Sequence, residues 1–127
     1  MEELKAQVVA FRDERDWKQF HNPKDISISI SLEASELLAE FLWKNPEEAD
    51  KAKVQDELAD VFIAALLLAD HYGFNVDQIV REKLRKTALK YPVEKARGRR
   101  EKYTELADIA EEEPRSVPHS GYSDPNA

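Results

Sequence analysis

At 127 residues, with 42% hydrophobic and 35% charged side chains, the chain has the size of one globular domain, expected to bury roughly two-thirds of its unfolded surface around one core. It contains no cysteine and only 3 glycines, which excludes disulfides, thiolate catalysis and cysteine-ligated zinc and leaves no glycine-rich phosphate cradle. The 19 basic and 26 acidic residues give a net charge of −7, so a phosphate-bearing partner meets repulsion unless a metal or a local basic cluster intervenes, and nonspecific DNA binding is disfavoured.

The opening segment MEELKAQVVAFRDERDW is charged throughout and lacks the features of a secretory signal. Leu4, Val8, Phe11 and Arg15 recur at helical spacing and predict a helix from Glu2 to Arg15. Trp17, Phe20, His21, Asn22 and Pro23 interrupt it with an aromatic and polar connection, a place for a pocket wall. Ile26 to Leu32 alternates as a strand would, but runs without a turn into the helical period of Glu33 to Phe41. An unpaired strand would leave its backbone groups unsatisfied, so the spacing predicts one helix, capped at Asp25 and reaching Trp43.

Asn45, Pro46 and Glu48 predict the start of a third helix that runs to Tyr72. Its apolar face, Val54, Leu58, Val61, Ala65, Leu68 and Tyr72, is widened by Phe62, Leu66 and Ala69, which implies burial against more than one helix. The apolar run ADVFIAALLLAD is too short to span a membrane, and a cytoplasmic location is expected. Gly73 is placed to stop the helix in left-handed geometry, and Asn75 with Gln78 to start a fourth that ends near Lys90. Tyr91 and Pro92 break it, a shorter helical candidate spans Val93 to Ala107, and residues 111–127 read as a disordered polar tail. The expected architecture is all-α, a helical bundle with short loops over residues 1–110, and its wide apolar faces favour a homodimer.

The chemistry concentrates in two acidic pairs, Glu33 and Glu36 in EASE, Glu57 and Asp60 in ELAD. A spacing of three puts both carboxylates of a pair on one helix face, separated by about 4.5 Å along the axis. Antiparallel packing of the two helices would oppose the pairs, and four mutually repelling carboxylates suit Mg²⁺ or Mn²⁺. A metal-bridged nucleoside triphosphate is the simplest partner, with Glu36 as the base that activates water. Lys83 and Lys90 on the fourth helix are in range to serve phosphates, and Tyr91 adds a hydroxyl. His71 and His119 read as a helix-end residue and a tail residue, and Arg97, Arg99, Arg100 and Lys102 as a small basic patch.

The segments FRDERDWKQFHNPKD, SLEASELLAEFLW, DELADVFIAALLLAD and EKLRKTALKYPVEKARG together resemble the MazG-like nucleotide pyrophosphohydrolases, especially the short all-helical dCTP pyrophosphatase-like proteins, over most of residues 8–98. The resemblance implies metal-ligand roles for Glu33, Glu36, Glu57 and Asp60, and places Trp17, His21 and Trp43 near the nucleotide. It favours Lys83 and Tyr91 as further contacts, puts Thr87 where the family often has Asn, and implies a dimer or dimer of dimers with pockets near subunit contacts. The expected activity is Mg²⁺-dependent conversion of dCTP or a modified pyrimidine nucleotide to monophosphate and pyrophosphate. Competing expectations are a dUTP-like or other nucleotide pyrophosphate substrate, and a noncatalytic helical regulatory or interaction module. Neither a stable nucleic-acid partner nor a membrane is expected.

Overall fold

The computed structural model describes residues 1–106, and they are helical with short connections and no strand among them. The predicted tail, His119 and the end of the last predicted helix lie outside the described residues. In chain order the helices are α1 (Glu2–Glu14), α2 (Pro23–Ala39), α3 (Lys51–Tyr72), α4 (Val76–Lys90) and α5 (Val93–Ala96). Short 3₁₀ turns occupy Lys18–Phe20 and Pro46–Glu48, and residues 103–106 form a further helical turn. Two compact units result, Met1–Ile79 and the chain from Val80 onward, with the division inside α4.

Local chemistry sets the helix ends. The cap of α2 is Asn22 rather than the expected Asp25: the Asn22 side chain accepts from the Asp25 N–H at 2.9 Å and donates back to Asp25 Oδ2 at 2.8 Å. Pro23 then takes the first helical position, where a missing N–H has no consequence, so Asp25 becomes the third residue of a reciprocal box. α2 ends at Ala39, short of the expected Trp43, and Trp43 itself has a left-handed φ of 62° that no helix accommodates. Asn45 and Pro46 open only the 3₁₀ turn; the cap of α3 is Asp50, whose carboxylate accepts from Ala52 N at 2.9 Å and Lys53 N at 3.4 Å. Gly73 closes α3 at φ 69°, and Asn75 accepts from Gln78 N at 3.0 Å, both as the sequence predicts.

In the first unit α3 is the central element, in contact with both α2 and α1. Ile26, Ala64, Leu66 and Ala69 are buried, and the two larger chains, Ile26 and Leu66, each contribute about 1.5–3 kcal/mol. Arg12 is buried with them, 5% exposed, its guanidinium 3.0 Å from Asp70 on α3 and 2.9 Å from Asp13. Lys5 Nζ donates to the Phe74 carbonyl at 2.7 Å, so α1 runs antiparallel to α3. The broad apolar face expected on α3 is only partly covered: Leu58, Phe62, Ala65 and Tyr72 stand exposed, as do Leu32 and Leu38 on α2. In the second unit, Glu101 and Leu106 are buried and Tyr91 meets Tyr103 edge to face at 6.1 Å. None of the described helices is long and apolar enough to cross a membrane.

The Gly73 conformation gives a stability test. A methyl group added at this position would have nothing within 4 Å, so Gly73→Ala meets no steric clash and registers only the left-handed backbone penalty. It should destabilise the fold by about 1–2 kcal/mol in denaturant unfolding, and an unchanged midpoint would show that the turn relaxes freely.

Candidate functional site

The acidic pairs meet because α2 and α3 pack antiparallel. Glu33 and Glu36 face Glu57 and Asp60, and one carboxylate oxygen from each residue lies within 4.8 Å of the other three. Glu33 and Glu57 are half-buried, while Glu36 and Asp60 are exposed. Glu33 Oε2 and Glu57 Oε2 are enclosed and have no hydrogen-bond partner. Burial lifts the Glu33 carboxyl above the ordinary carboxylate range, and a proton shared with Glu36 and the negative charges of Glu36, Asp60 and Glu57 lift it further. Glu57 is raised in the same direction by burial first, then by the charge of Glu36, a proton shared with Glu36, and the charges of Asp60 and Glu40.

A shared proton exists only while one carboxyl is protonated; with all four ionised, the two enclosed oxygens are orphaned. Two orphaned acceptors among four converging carboxylates form a hard, oxygen-only donor set, which fits a divalent cation such as Mg²⁺ or Mn²⁺.

The same helix faces continue into a cavity of about 130 Å³ lined by Phe20, His21, Asp25, Ile26, Ser29, Ala64 and Leu67. Ser29 precedes Glu33 by four residues and Ala64 follows Asp60 by four, so the cavity begins about 6 Å along each axis from the acids. His21 Nδ1 is enclosed and has no partner. Ser27 and Ser35 donate to their own helix at the Pro23 and Ser31 carbonyls, at 2.7 and 2.9 Å, whereas the Ser29 hydroxyl makes no hydrogen bond among the described residues. The cavity therefore presents an imidazole nitrogen and a hydroxyl within otherwise apolar walls, with the Asp25 carboxylate at its margin.

Of the residues singled out in the sequence, the four acids come together and His21 lines the adjoining cavity. Trp17 does not line that cavity; its ring packs edge to face on Phe11 at 5.8 Å. Trp43 is 100% exposed on its left-handed backbone. Lys83, Thr87, Lys90 and Tyr91 belong to the second unit: Lys83 and Lys90 are exposed, Thr87 and Tyr91 half-buried, and Lys90 Nζ lies 5.0 Å from the Tyr103 ring centroid. Arg97 and Arg100 there are exposed and Arg99 is half-buried. His71 is exposed and contacts Tyr72 edge to face at 5.1 Å. Asp25, Ser29, Ala64 and Leu67 escaped sequence reasoning as pocket residues, although the four-residue steps from Glu33 and Asp60 already carried the signal for Ser29 and Ala64.

The raised carboxyls determine how stability depends on pH. A folded-state pKa above the unfolded one stabilises the fold fully below the unfolded pKa, and the contribution is lost as pH rises through the folded value. Metal-free protein should therefore lose stability relative to Glu33→Gln as pH rises from the unfolded carboxyl range through the raised pKa. Thermal denaturation in chelator across that range checks this, and Mg²⁺ should restore the wild type more than the variant. Parallel profiles would show that Glu33 carries no such strain.

A MazG-like family model matches residues 28–106, a span that contains all four acids. The chain is 32% identical over 133 residues to dCTP pyrophosphatase 1 of Bos taurus, covering 98% of this chain and 77% of that one. It is 32% identical over 125 residues to dCTP pyrophosphatase 1 of Homo sapiens, covering 92% and 74% respectively. Among solved structures, a pyrophosphatase from Archaeoglobus fulgidus DSM 4304 superimposes with a TM-score of 0.67 at 39% identity, over 72% of this chain and 92% of the other. Sequence, family model and helical architecture agree, and the chain belongs to the MazG-like family.

Proposed function

We propose that this chain is a Mg²⁺-dependent nucleoside triphosphate pyrophosphohydrolase that converts dCTP, or a closely related modified pyrimidine nucleotide, to its monophosphate and pyrophosphate. The observation that carries the reading is the convergence of Glu33, Glu36, Glu57 and Asp60 beside a cavity. The names of its relatives, dCTP pyrophosphatase 1 and pyrophosphatase, support the bond class and the base. The adjoining cavity offers polar groups, His21 and Ser29, that a base edge could meet.

In this mechanism Glu33, Glu36, Glu57 and Asp60 would hold the metal, with Mn²⁺ an acceptable substitute. When bound, Mg²⁺ neutralises phosphate charge and makes water a better nucleophile. Glu36, exposed at the edge of the cluster, accepts the proton of the attacking water. The water oxygen bonds to the alpha phosphorus while the bond from that phosphorus to the bridging oxygen breaks, and the beta and gamma groups depart as pyrophosphate. His21 hydrogen-bonds the polar edge of the base within its cavity, and Trp17 and Trp43 supply aromatic surface to the nucleoside. As part of the proposal, and on the family resemblance that favours Lys83 and Tyr91, phosphate contacts are assigned to Lys83 and Lys90 and hydroxyl contacts to Thr87 and Tyr91. Thr87 has no amide pair with which to read a base edge, which leaves discrimination to the cavity.

The same reading makes residues 1–110 one catalytic domain and the active form a homodimer or dimer of dimers. Exposed Leu32 and Leu38 on α2 and Leu58 and Phe62 on α3 leave apolar surface in water, which a second copy would cover. A cytoplasmic location suits an enzyme acting on a nucleotide pool.

A nucleotide panel with Mg²⁺ and identification of both products tests the activity: dCMP and pyrophosphate in equal amounts are expected, and orthophosphate release would reject cleavage at the alpha phosphorus. Glu57→Gln should keep the helix yet lower turnover by about 10²-fold or more and weaken Mn²⁺ binding; unchanged values would remove Glu57 from the metal site. Sedimentation should give a dimer or tetramer, shifted toward monomer by Phe62→Asp, whereas a wild-type monomer would overturn the assembly.

A further inference from the structure

Arg12 is a buried charge of the first unit that the mechanism leaves unused. Arg12 is 5% exposed in the last turn of α1, and its Nη1 reaches Asp70 Oδ2 at 3.0 Å. Both Nε and Nη2 reach Asp13 Oδ1 at 2.9 Å, so the guanidinium is anchored from two sides. Asp70 follows Leu67 by three residues on α3, one turn beyond the cavity.

The backbone of Arg12 continues this anchorage toward the cavity wall. Its carbonyl accepts the Trp17 N–H at 3.2 Å, the Trp17 carbonyl accepts the Phe20 N–H at 3.0 Å, and the Lys18 carbonyl accepts the His21 N–H at 3.0 Å. Phe20 and His21 line the cavity. Among the described residues, Arg12–Asp70 is the ion pair that joins this end of α1 to α3; the other polar ties of α1 to later segments lie at its start, through Met1 and Lys5.

We propose that the Arg12–Asp70 ion pair is a positioning device that holds the Trp17–His21 segment over the Ser29 cavity, and so governs nucleotide affinity rather than the chemical step. This rests on the reading of that cavity as the base subsite. Breaking one partner strands a buried charge, whereas exchanging both for apolar residues of similar volume removes the directional fork without that penalty. The backbone hydrogen bonds that tie the segment to α1 would persist, but with this end of α1 held to α3 only by nondirectional packing the segment would sample positions in which His21 no longer faces the base, and misplacement on the ångström scale is enough to weaken productive binding.

The test uses the full chain with dCTP, Mg²⁺ and Mn²⁺ and the double variant Arg12→Met with Asp70→Leu, with Arg12→Lys as the conservative change. The double variant should raise KM for dCTP on the order of tenfold while kcat and Mn²⁺ affinity hold, with Arg12→Lys intermediate. Amide exchange over residues 15–21 should accelerate without a comparable change in α3. A folded double variant with wild-type KM and exchange would overturn the inference, as would kcat and Mn²⁺ affinity falling in step with KM. Exchange reads the positioning even if the wild type turned over no nucleoside triphosphate, so the proposed activity and this inference fail separately.

Discussion

The repulsion among four carboxylates gathered between α2 and α3 is the constraint on which the rest depends. Left to themselves, these groups would open the helix pair, since two of their oxygens are enclosed without a donor and two of the acids are pushed toward the protonated state. Burial of Ile26 on α2 and Ala64 on α3, which line the same cavity, opposes that opening. The cluster is thus held against its own electrostatics by a small apolar seam. A cation would relieve that opposition and stabilise the fold at the place where it is useful, so binding and folding are coupled through the same oxygens.

Antiparallel register extends the consequence beyond the acids. The steps that oppose Glu33 and Glu36 to Glu57 and Asp60 also oppose Ile26 and Ser29 to Ala64 and Leu67. A charged end and a cavity end therefore follow from a single helix packing, which matches a molecule with phosphates at one end and a base at the other. On the proposed reading, metal binding and base recognition are laid out along the α2 and α3 axes, with the Trp17–His21 connection closing the recognition end.

Much of this was legible in the amino-acid order because it depends on local rules. The acid spacing, Gly73 as a left-handed stop and Asn75 as a cap all follow from helix geometry and capping chemistry. The alternating Ile26–Leu32 run was settled as helix by the absence of a partner strand. Readings that depended on competition between neighbours fared less well. Asn22 displaced Asp25 as cap because the two side chains bond reciprocally, and Asp50 displaced Asn45 because Pro46–Glu48 tightens into a 3₁₀ turn. The cavity was illegible for a different reason: its walls come from the Trp17–His21 connection and two helices, and only packing shows that they converge.

Residues 40–50 connect the two acid-bearing helices without supplying any of the four carboxylates or any wall of the cavity. Alignment of α2 with α3 is enforced by side chains along their shared seam, not by the length of this link. The link is consequently a region where extra residues can be accommodated at modest entropic expense, as closure entropy grows only logarithmically with loop length. Trp43, fully outside on a left-handed residue, rides on it. Variation in this short stretch would re-aim one aromatic ring without moving the four carboxylates, so that, on the proposed reading of Trp43 as a nucleoside contact, recognition could drift on an unchanged scaffold.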